Sequence, residues 1–228
     1  MNTLLNRRQW LKAAGATLAA TALAPRLPLQ AQTPAPASSA PPTTPGLVQL
    51  SWNENPFGPA PSAQQAMIAA VPRSCRYPDA EEHTLLELIA AKEGCPPSQI
   101  VLGNGSGEIL DVAGFHFGYE KGEIVAADPC DMQLLEAAAP AGGRAVRVPL
   151  NARFEHDLPA MAAAVGAKTS LVYMVNPNNP TGTVCDAAAL KEFVRETAAR
   201  APVFIDEAYL ECTDDFAGRT CEIVGAFR

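Results

Sequence analysis

Three short segments carry residue types that could do chemistry together. Gly103-Asn104-Gly105-Ser106-Gly107-Glu108 is a glycine-rich turn that leads into a helical run from about Glu108 to Phe117. The unpaired N–H groups at a helix start, together with the positive end of the helix dipole, favour a phosphate there. The segment also fits a plain turn, and it is no dinucleotide fingerprint, because Glu108 stands where G-x-G-x-x-G needs glycine.

Asn176-Pro177-Asn178-Asn179-Pro180-Thr181-Gly182 follows an almost wholly apolar run, Ser170 to Val175. Two X-Pro bonds and a glycine stiffen this turn, its Asn side chains can face a ligand, and Asn179-Pro180 is a candidate cis bond. Asp206-Glu207-Ala208-Tyr209 follows Val203-Phe204-Ile205. A carboxylate at the end of a buried strand calls for a cation or hydrogen-bond donors. An ordinary helix N-cap is the other reading of Asp206.

The elements that must position these segments alternate along the chain. Strand-like runs are Glu123–Ala127, Arg144–Val148, Ser170–Val175 and Val203–Ile205. Helical runs are Asp79 to Gly94, Glu108 to Phe117, residues 131–139, Asp157 to Val165 and Ala187 to Ala199. Asp79 with Glu82 reads as a capping box, with Leu85, Leu86, Leu88 and Ile89 as the apolar stripe behind it. Asp186 reads as an N-cap, with Ala189, Leu190, Phe193 and Val194 inward. Short apolar strands separated by helices predict βαβ units, a mostly parallel sheet and an α/β fold. Such sheets bind ligands outside the carboxyl ends of their strands, which is where the three segments fall.

Composition narrows the class. The 228 residues carry 17 Lys+Arg against 24 Asp+Glu, with 18% charged and 6% aromatic residues. An acidic chain without a basic stripe argues against nucleic-acid binding. The charge is uneven: no acid precedes Glu54, while Arg7, Arg8, Lys12 and Arg26 lie in the first 31 residues. Arg7-Arg8 followed by the Ala-rich run Ala13 to Ala24 is too short to span a bilayer, which takes about 20 apolar residues. It resembles a twin-arginine export signal ending near Ala31, with Trp10 where such signals usually carry Phe, and implies export to the periplasm. Residues 32–46, with five prolines, read as an extended linker, and residues 47–228 as the body. The six cysteines lie outside the signal, match no zinc spacing and read as mostly buried thiols. His83, His116 and His156 fall in no catalytic motif and read as surface or satisfied histidines, which leaves Cys130 or Cys185 little support as a nucleophile.

Five motifs in order resemble the class I/II aminotransferases of the fold type I pyridoxal phosphate architecture, with the histidinol-phosphate aminotransferases as the closest branch. They are Asn53-Glu54-Asn55-Pro56, Arg76-Tyr77-Pro78-Asp79, Gly103-Asn104-Gly105-Ser106, the Asn176–Gly182 string and Asp206-Glu207-Ala208-Tyr209. The resemblance covers about Val48 to Phe216. It implies a three-layer sandwich, here part of the large domain, and pyridoxal phosphate as cofactor. It further implies an amino acid and a 2-oxo acid as substrates, and a homodimer.

By the same resemblance, Ser106, Gly107 and Glu108 bind the cofactor phosphate through backbone N–H groups. Asp206 pairs with the pyridinium nitrogen, and Asn179 and Tyr209 hydrogen-bond the ring O3′. Tyr77 reaches the phosphate of the neighbouring subunit. Asn53 to Phe57, including Asn55, line the substrate side. Two positions depart from the family pattern. Asp131 stands where an aromatic ring usually stacks on the cofactor, and Gly107 stands where many members carry an acid.

The family's chemistry also needs a Schiff-base lysine after the Asp-Glu-Ala-Tyr motif. Lys12, Lys92, Lys121, Lys168 and Lys191 all precede Asp206 and none matches by motif, so the 228 residues are expected to lack the catalytic lysine and to be inactive alone. A decarboxylase or lyase of the same fold, and a non-catalytic truncated remnant, are the competing readings. The amino donor is left open, because an exported enzyme sits apart from histidine biosynthesis.

Overall fold

The computed structural model describes residues 51–119 and 122–214. The segments read as an export signal and a linker, and Cys221, lie outside the described residues. The chain divides into two compact units, Met1–Pro72 and Arg73–Arg228.

In the first unit the described part is a turn followed by a helix. Trp52 and Asn53 both have positive φ, 70° and 52°. The Asn55 side chain closes a local loop, its Oδ1 accepting from the Phe57 N–H at 3.0 Å and its Nδ2 donating to the Gly58 carbonyl at 3.0 Å. Helix α1, Pro61–Ala70, starts on a proline, whose missing N–H costs nothing at a helix start.

The second unit holds the sheet. Strands β1 (Glu123–Asp128), β2 (Arg144–Pro149), β3 (Thr169–Val175) and β4 (Val203–Asp206) are all parallel, in the order β2-β1-β3-β4. β1 and β3 are central and almost completely buried, while the edge strand β2 is largely open to solvent, with only Val148 buried. This explains why β1 and β3 read as continuous apolar runs. Val125, Val172 and Tyr173 are fully buried and centre the core.

Helices α2 (Asp79–Glu93), α3 (Gly105–Gly118), α4 (Gln133–Ala138), α5 (Leu158–Ala164) and α6 (Ala187–Ala198) complete the unit. α3 packs on α4, and α5 on α6. α4 connects β1 to β2, α5 connects β2 to β3 and α6 connects β3 to β4. The α/β expectation therefore holds, with every strand pair parallel.

α3 and α4 approach so closely that only glycine fits between them. A Cβ at Gly114 would lie 2.3 Å from the Leu134 carbonyl oxygen, and one at Gly118 would lie 2.6 Å from that of Ala138.

Several local expectations need correction. α2 is capped at Pro78 with no side-chain hydrogen bond, so Asp79 is its first residue rather than its cap. Of its expected apolar stripe, Leu85 and Leu88 are exposed and Leu86 and Ile89 are half-buried, and the helix's one buried residue is Ala90, because α2 lies outside the core that the sheet organises. Asp157 and Asp186 do cap α5 and α6, accepting from the N–H groups of Ala160 and Ala189 at 3.0 and 2.9 Å. In α6 Leu190, Phe193 and Val194 face inward as expected, while Ala189 is exposed and Thr197 completes the buried face. Among the described cysteines, Cys130 and Cys185 are buried but Cys75 and Cys212 are exposed. His83 sits on the surface 3.3 Å from Glu87, and His116 packs edge-on to Phe117. His156 departs from expectation: it is buried, its Nε2 has no partner, and burial lowers its pKa to about 4.

Candidate active site

The strand order reverses between β1 and β3: the chain moves from β1 outward to β2, then returns past β1 to β3 and on to β4. The crevice at such a switch point, beyond the carboxyl ends of the strands, is where open α/β sheets bind ligands. The loops leaving β1 and β3 flank it. They carry Asp131 and Asn179, and β4 ends beside them on Asp206.

Sheet register places Asp206 there. It pairs with Val175 at the last rung between β3 and β4, and its carbonyl accepts the Asn176 N–H at 2.8 Å. The carboxylate is buried, and Oδ1 accepts the Ala208 N–H at 3.0 Å. No cationic side chain among the described residues forms an ion pair with it. Burial raises its pKa, the Ala208 N–H opposes that, and the charge of Asp131 adds to it. Beneath it, the Tyr173 hydroxyl is buried without a partner, and its pKa is pushed up by burial and then by Asp206 and Asp131.

The Asn-rich loop divides its labour. Asn176 and Asn178 are 4% and 2% exposed. The Asn176 Oδ1 accepts the Cys185 N–H at 2.8 Å, and the Asn178 Nδ2 donates to the Pro129 carbonyl at 3.2 Å and to Thr181 Oγ1 at 2.9 Å. Both therefore build the loop rather than face a ligand, and Asn178 ties it to the β1 loop. Asn179 is half-buried and donates from Nδ2 to Asp131 Oδ2 at 3.0 Å. The Asn179–Pro180 bond is cis, as expected, and so are Asp128–Pro129 and Asn176–Pro177.

Unlike the other two segments, the glycine-rich turn follows no strand, because residues 100–104 form none, and it opens α3 at Gly105, three residues earlier than the sequence suggested. Ser106 and Gly107 are thus in the first turn, where N–H groups have no partner within the helix. Glu108 lies one residue further in, still within reach of the helix start. Its side chain reaches back to accept from Asn104 N at 2.7 Å and Asn104 Nδ2 at 3.0 Å. The Glu108 side chain thereby holds the shape of the turn in which Ser106, Gly107 and Glu108 sit at the start of α3.

Tyr209 lies half-buried in the turn after β4. Tyr77, just before α2, is 92% exposed and so is not packed against the turn. Asn53 and Asn55 belong to the first unit and are exposed there. Cys130 is no thiolate nucleophile: burial, then the charge of Asp131, push its pKa up to about 12.

Gln133 was not singled out from sequence. Its Nε2 donates to the Gly107 carbonyl at 3.1 Å and to Asp111 Oδ1 at 3.0 Å. Nothing local to Gln133 signals this, since Gly107 is 26 residues away.

Comparison with known proteins agrees with this arrangement. The family model for aminotransferase class I and II matches residues 45–219. The histidinol-phosphate aminotransferase of Moorella thermoacetica is 44% identical over 163 residues, covering 72% of this chain and 42% of that protein. Histidinol-phosphate aminotransferase 1 of Cupriavidus pinatubonensis is 42% identical, covering 75% and 45%. The crystal structure of the Sinorhizobium meliloti histidinol-phosphate aminotransferase in complex with pyridoxal-5′-phosphate superimposes with a TM-score of 0.66 at 31% identity, covering 73% of this chain and 45% of that one. The chain spans a little under half the length of these relatives. With its motifs in order and its sheet matching theirs, the chain belongs to the class I and II aminotransferase family.

Proposed function

We propose that this chain forms the pyridoxal phosphate-binding part of an aminotransferase, which moves an amino group between an amino acid, or a histidinol-phosphate-like amine, and a 2-oxo acid. The observation that carries the reading is Asp206. It is a buried carboxylate at the switch point with a backbone N–H as its donor and no cationic partner among the described residues, so its environment fits a cationic N–H of a ligand. The relative crystallised with pyridoxal-5′-phosphate supports the identity of that ligand.

When bound, pyridoxal phosphate supplies an electron sink for bonds at the substrate Cα. Asp206 keeps a proton on the ring nitrogen by pairing with it as a carboxylate, an ionisation its burial otherwise opposes. Asn179 and Tyr209 donate to the ring O3′. Ser106, Gly107 and Glu108 offer N–H groups at the α3 N-terminus to the phosphate, where the helix dipole favours negative charge. Tyr77, exposed at the start of α2, reaches the phosphate of a second subunit in a homodimer, and Asn53 and Asn55 line the substrate side. The paired arginines and the short apolar run of the first 31 residues support export to the periplasm.

The test is to express the complete reading frame, add pyridoxal phosphate and remove the excess by gel filtration. Visible absorbance that elutes with the protein, with amino-group transfer to a 2-oxo acid, is the expected result. Release of CO2 in place of transfer would assign a decarboxylase. A folded protein that retains no cofactor overturns the reading.

A further inference from the structure

One hydrogen-bonded chain joins the glycine-rich turn to the Asn loop. It begins at the Gly107 carbonyl, which accepts from Gln133 Nε2 at 3.1 Å. The Gln133 N–H donates to Asp131 Oδ1 at 3.0 Å, and Asp131 Oδ2 accepts from Asn179 Nδ2 at 3.0 Å. The two outer links cross 26 and 48 residues of sequence. Three segments are thereby tied together: the first turn of α3, the start of α4 and the loop after β3.

The two departures from the family pattern meet in this chain. A Cβ at Gly107 would lie 3.1 Å from Gln133 Nε2, so the glutamine amide occupies the space a side chain would need. Asp131, in place of a stacking ring, uses both carboxylate oxygens as acceptors and holds one N–H of the Asn179 amide. The planar amide's other N–H then points in a fixed direction.

We propose that Asp131 and Gln133 are positioning residues that hold the phosphate-binding turn and Asn179 in register, so that both ends of the cofactor are gripped together. The proposal rests on the cofactor reading above. Gln133 acts on the phosphate end through Gly107, and Asp131 acts on the ring end through Asn179. Asp131 thus replaces the stacking of an aromatic ring by fixing a hydrogen-bond donor.

The test compares pyridoxal phosphate with pyridoxal, which lacks the phosphate, as probes for the complete protein and its variants. Dissociation constants are read from absorbance after the protein has been stripped of cofactor. Gln133→Ala should weaken pyridoxal phosphate about 3- to 10-fold, as expected for one hydrogen bond, and pyridoxal less than about 2-fold. Asp131→Ala should weaken both probes about 10-fold, because its acceptor is charged. In an Asn179→Ala background the same Asp131 substitution should matter by less than about 2-fold, since its action runs through Asn179. An Asp131 effect of equal size with and without Asn179 would mean that its charge acts alone and would overturn the proposal. So would equal weakening of both probes by Gln133→Ala. If the alanine variants fail to fold, Gln133→Met and Asp131→Asn, of similar size, replace them with the same reading. A folded wild-type protein that binds neither probe overturns the cofactor reading itself, a result distinct from wild-type binding with an unbroken cycle.

Discussion

The backbone N–H of Asn176 donates to the carbonyl of Asp206 at 2.8 Å, so the pairing of β3 with β4 also sets the buried acid beside the Asn loop. Asp206 ionises against its burial, which raises its pKa. The folded state therefore holds this proton more tightly than the unfolded state does. The stability this contributes is present at low pH and is lost as pH rises through the folded value. In the cofactor-free protein, Asp206→Asn should raise the melting temperature at neutral pH and flatten its fall above the ordinary Asp range. The same variant should weaken pyridoxal phosphate binding about 10- to 100-fold, the worth of a charge-assisted hydrogen bond. A variant that melts lower and binds normally would refute this account.

His156 gives an acid limb of stability. Its folded pKa is about 4, and burial is the cause. An unfolded histidine takes up its proton near pH 6.5, so stability should fall as pH drops from about 6.5 and level off below about 4. The total loss is on the order of 3 kcal/mol. Urea titrations across this range should show the fall in the parent and a flatter profile in His156→Gln.

The contact between α3 and α4 predicts sensitivity at Gly114. A methyl group there would meet the Leu134 carbonyl, which belongs to the helix backbone and cannot rotate away. Gly114→Ala should cost about 1–3 kcal/mol by overpacking, although alanine is the better helix former. Denaturant midpoints should fall accordingly, with cofactor binding weakened only as far as the fold is.

Thiol reactivity should follow exposure and ionisation. Cys75 and Cys212 are exposed, while Cys130 and Cys185 are buried and the Cys130 pKa is raised to about 12. Iodoacetamide at neutral pH should alkylate Cys75 and Cys212 in the native protein and spare Cys130 and Cys185 until urea is added. Mass mapping of the peptides checks this. Early loss of Cys130 would contradict the burial described.

The N-caps of α5 and α6 are local devices, and they should behave independently. Asp157→Ala and Asp186→Ala should each cost about 1 kcal/mol, with additive effects in the double variant.

These particulars also divide what was legible in sequence from what was not. Each strand lies within a residue of its expected bounds, because the buried parallel strands β1 and β3 must be largely apolar and turn residues bracket all four. Asp157 and Asp186 were legible as caps, since capping joins residues three apart. Asp79 carries the same signal but stands one position too late, with Pro78 preceding it at the cap. The Asn loop was legible as a motif, yet nothing in its spacing told Asn176 and Asn178, which build the loop, from Asn179, which does not.

The amino-acid sequence by itself determined the βαβ order, the Asn-rich and Asp206 segments at the carboxyl ends of their strands and the membership the motifs carry. Each depends on hydrophobic period, capping or turn chemistry within a few residues. Only the tertiary structure decided that α3 begins at Gly105, that Asp206 is buried without a cationic partner among the described residues, and that Asp131 and Gln133 join the glycine-rich turn to Asn179. Those outcomes depend on register across the sheet and on contacts 26 to 48 residues apart, which the close packing of α3 on α4 and the pairing of β3 with β4 bring about.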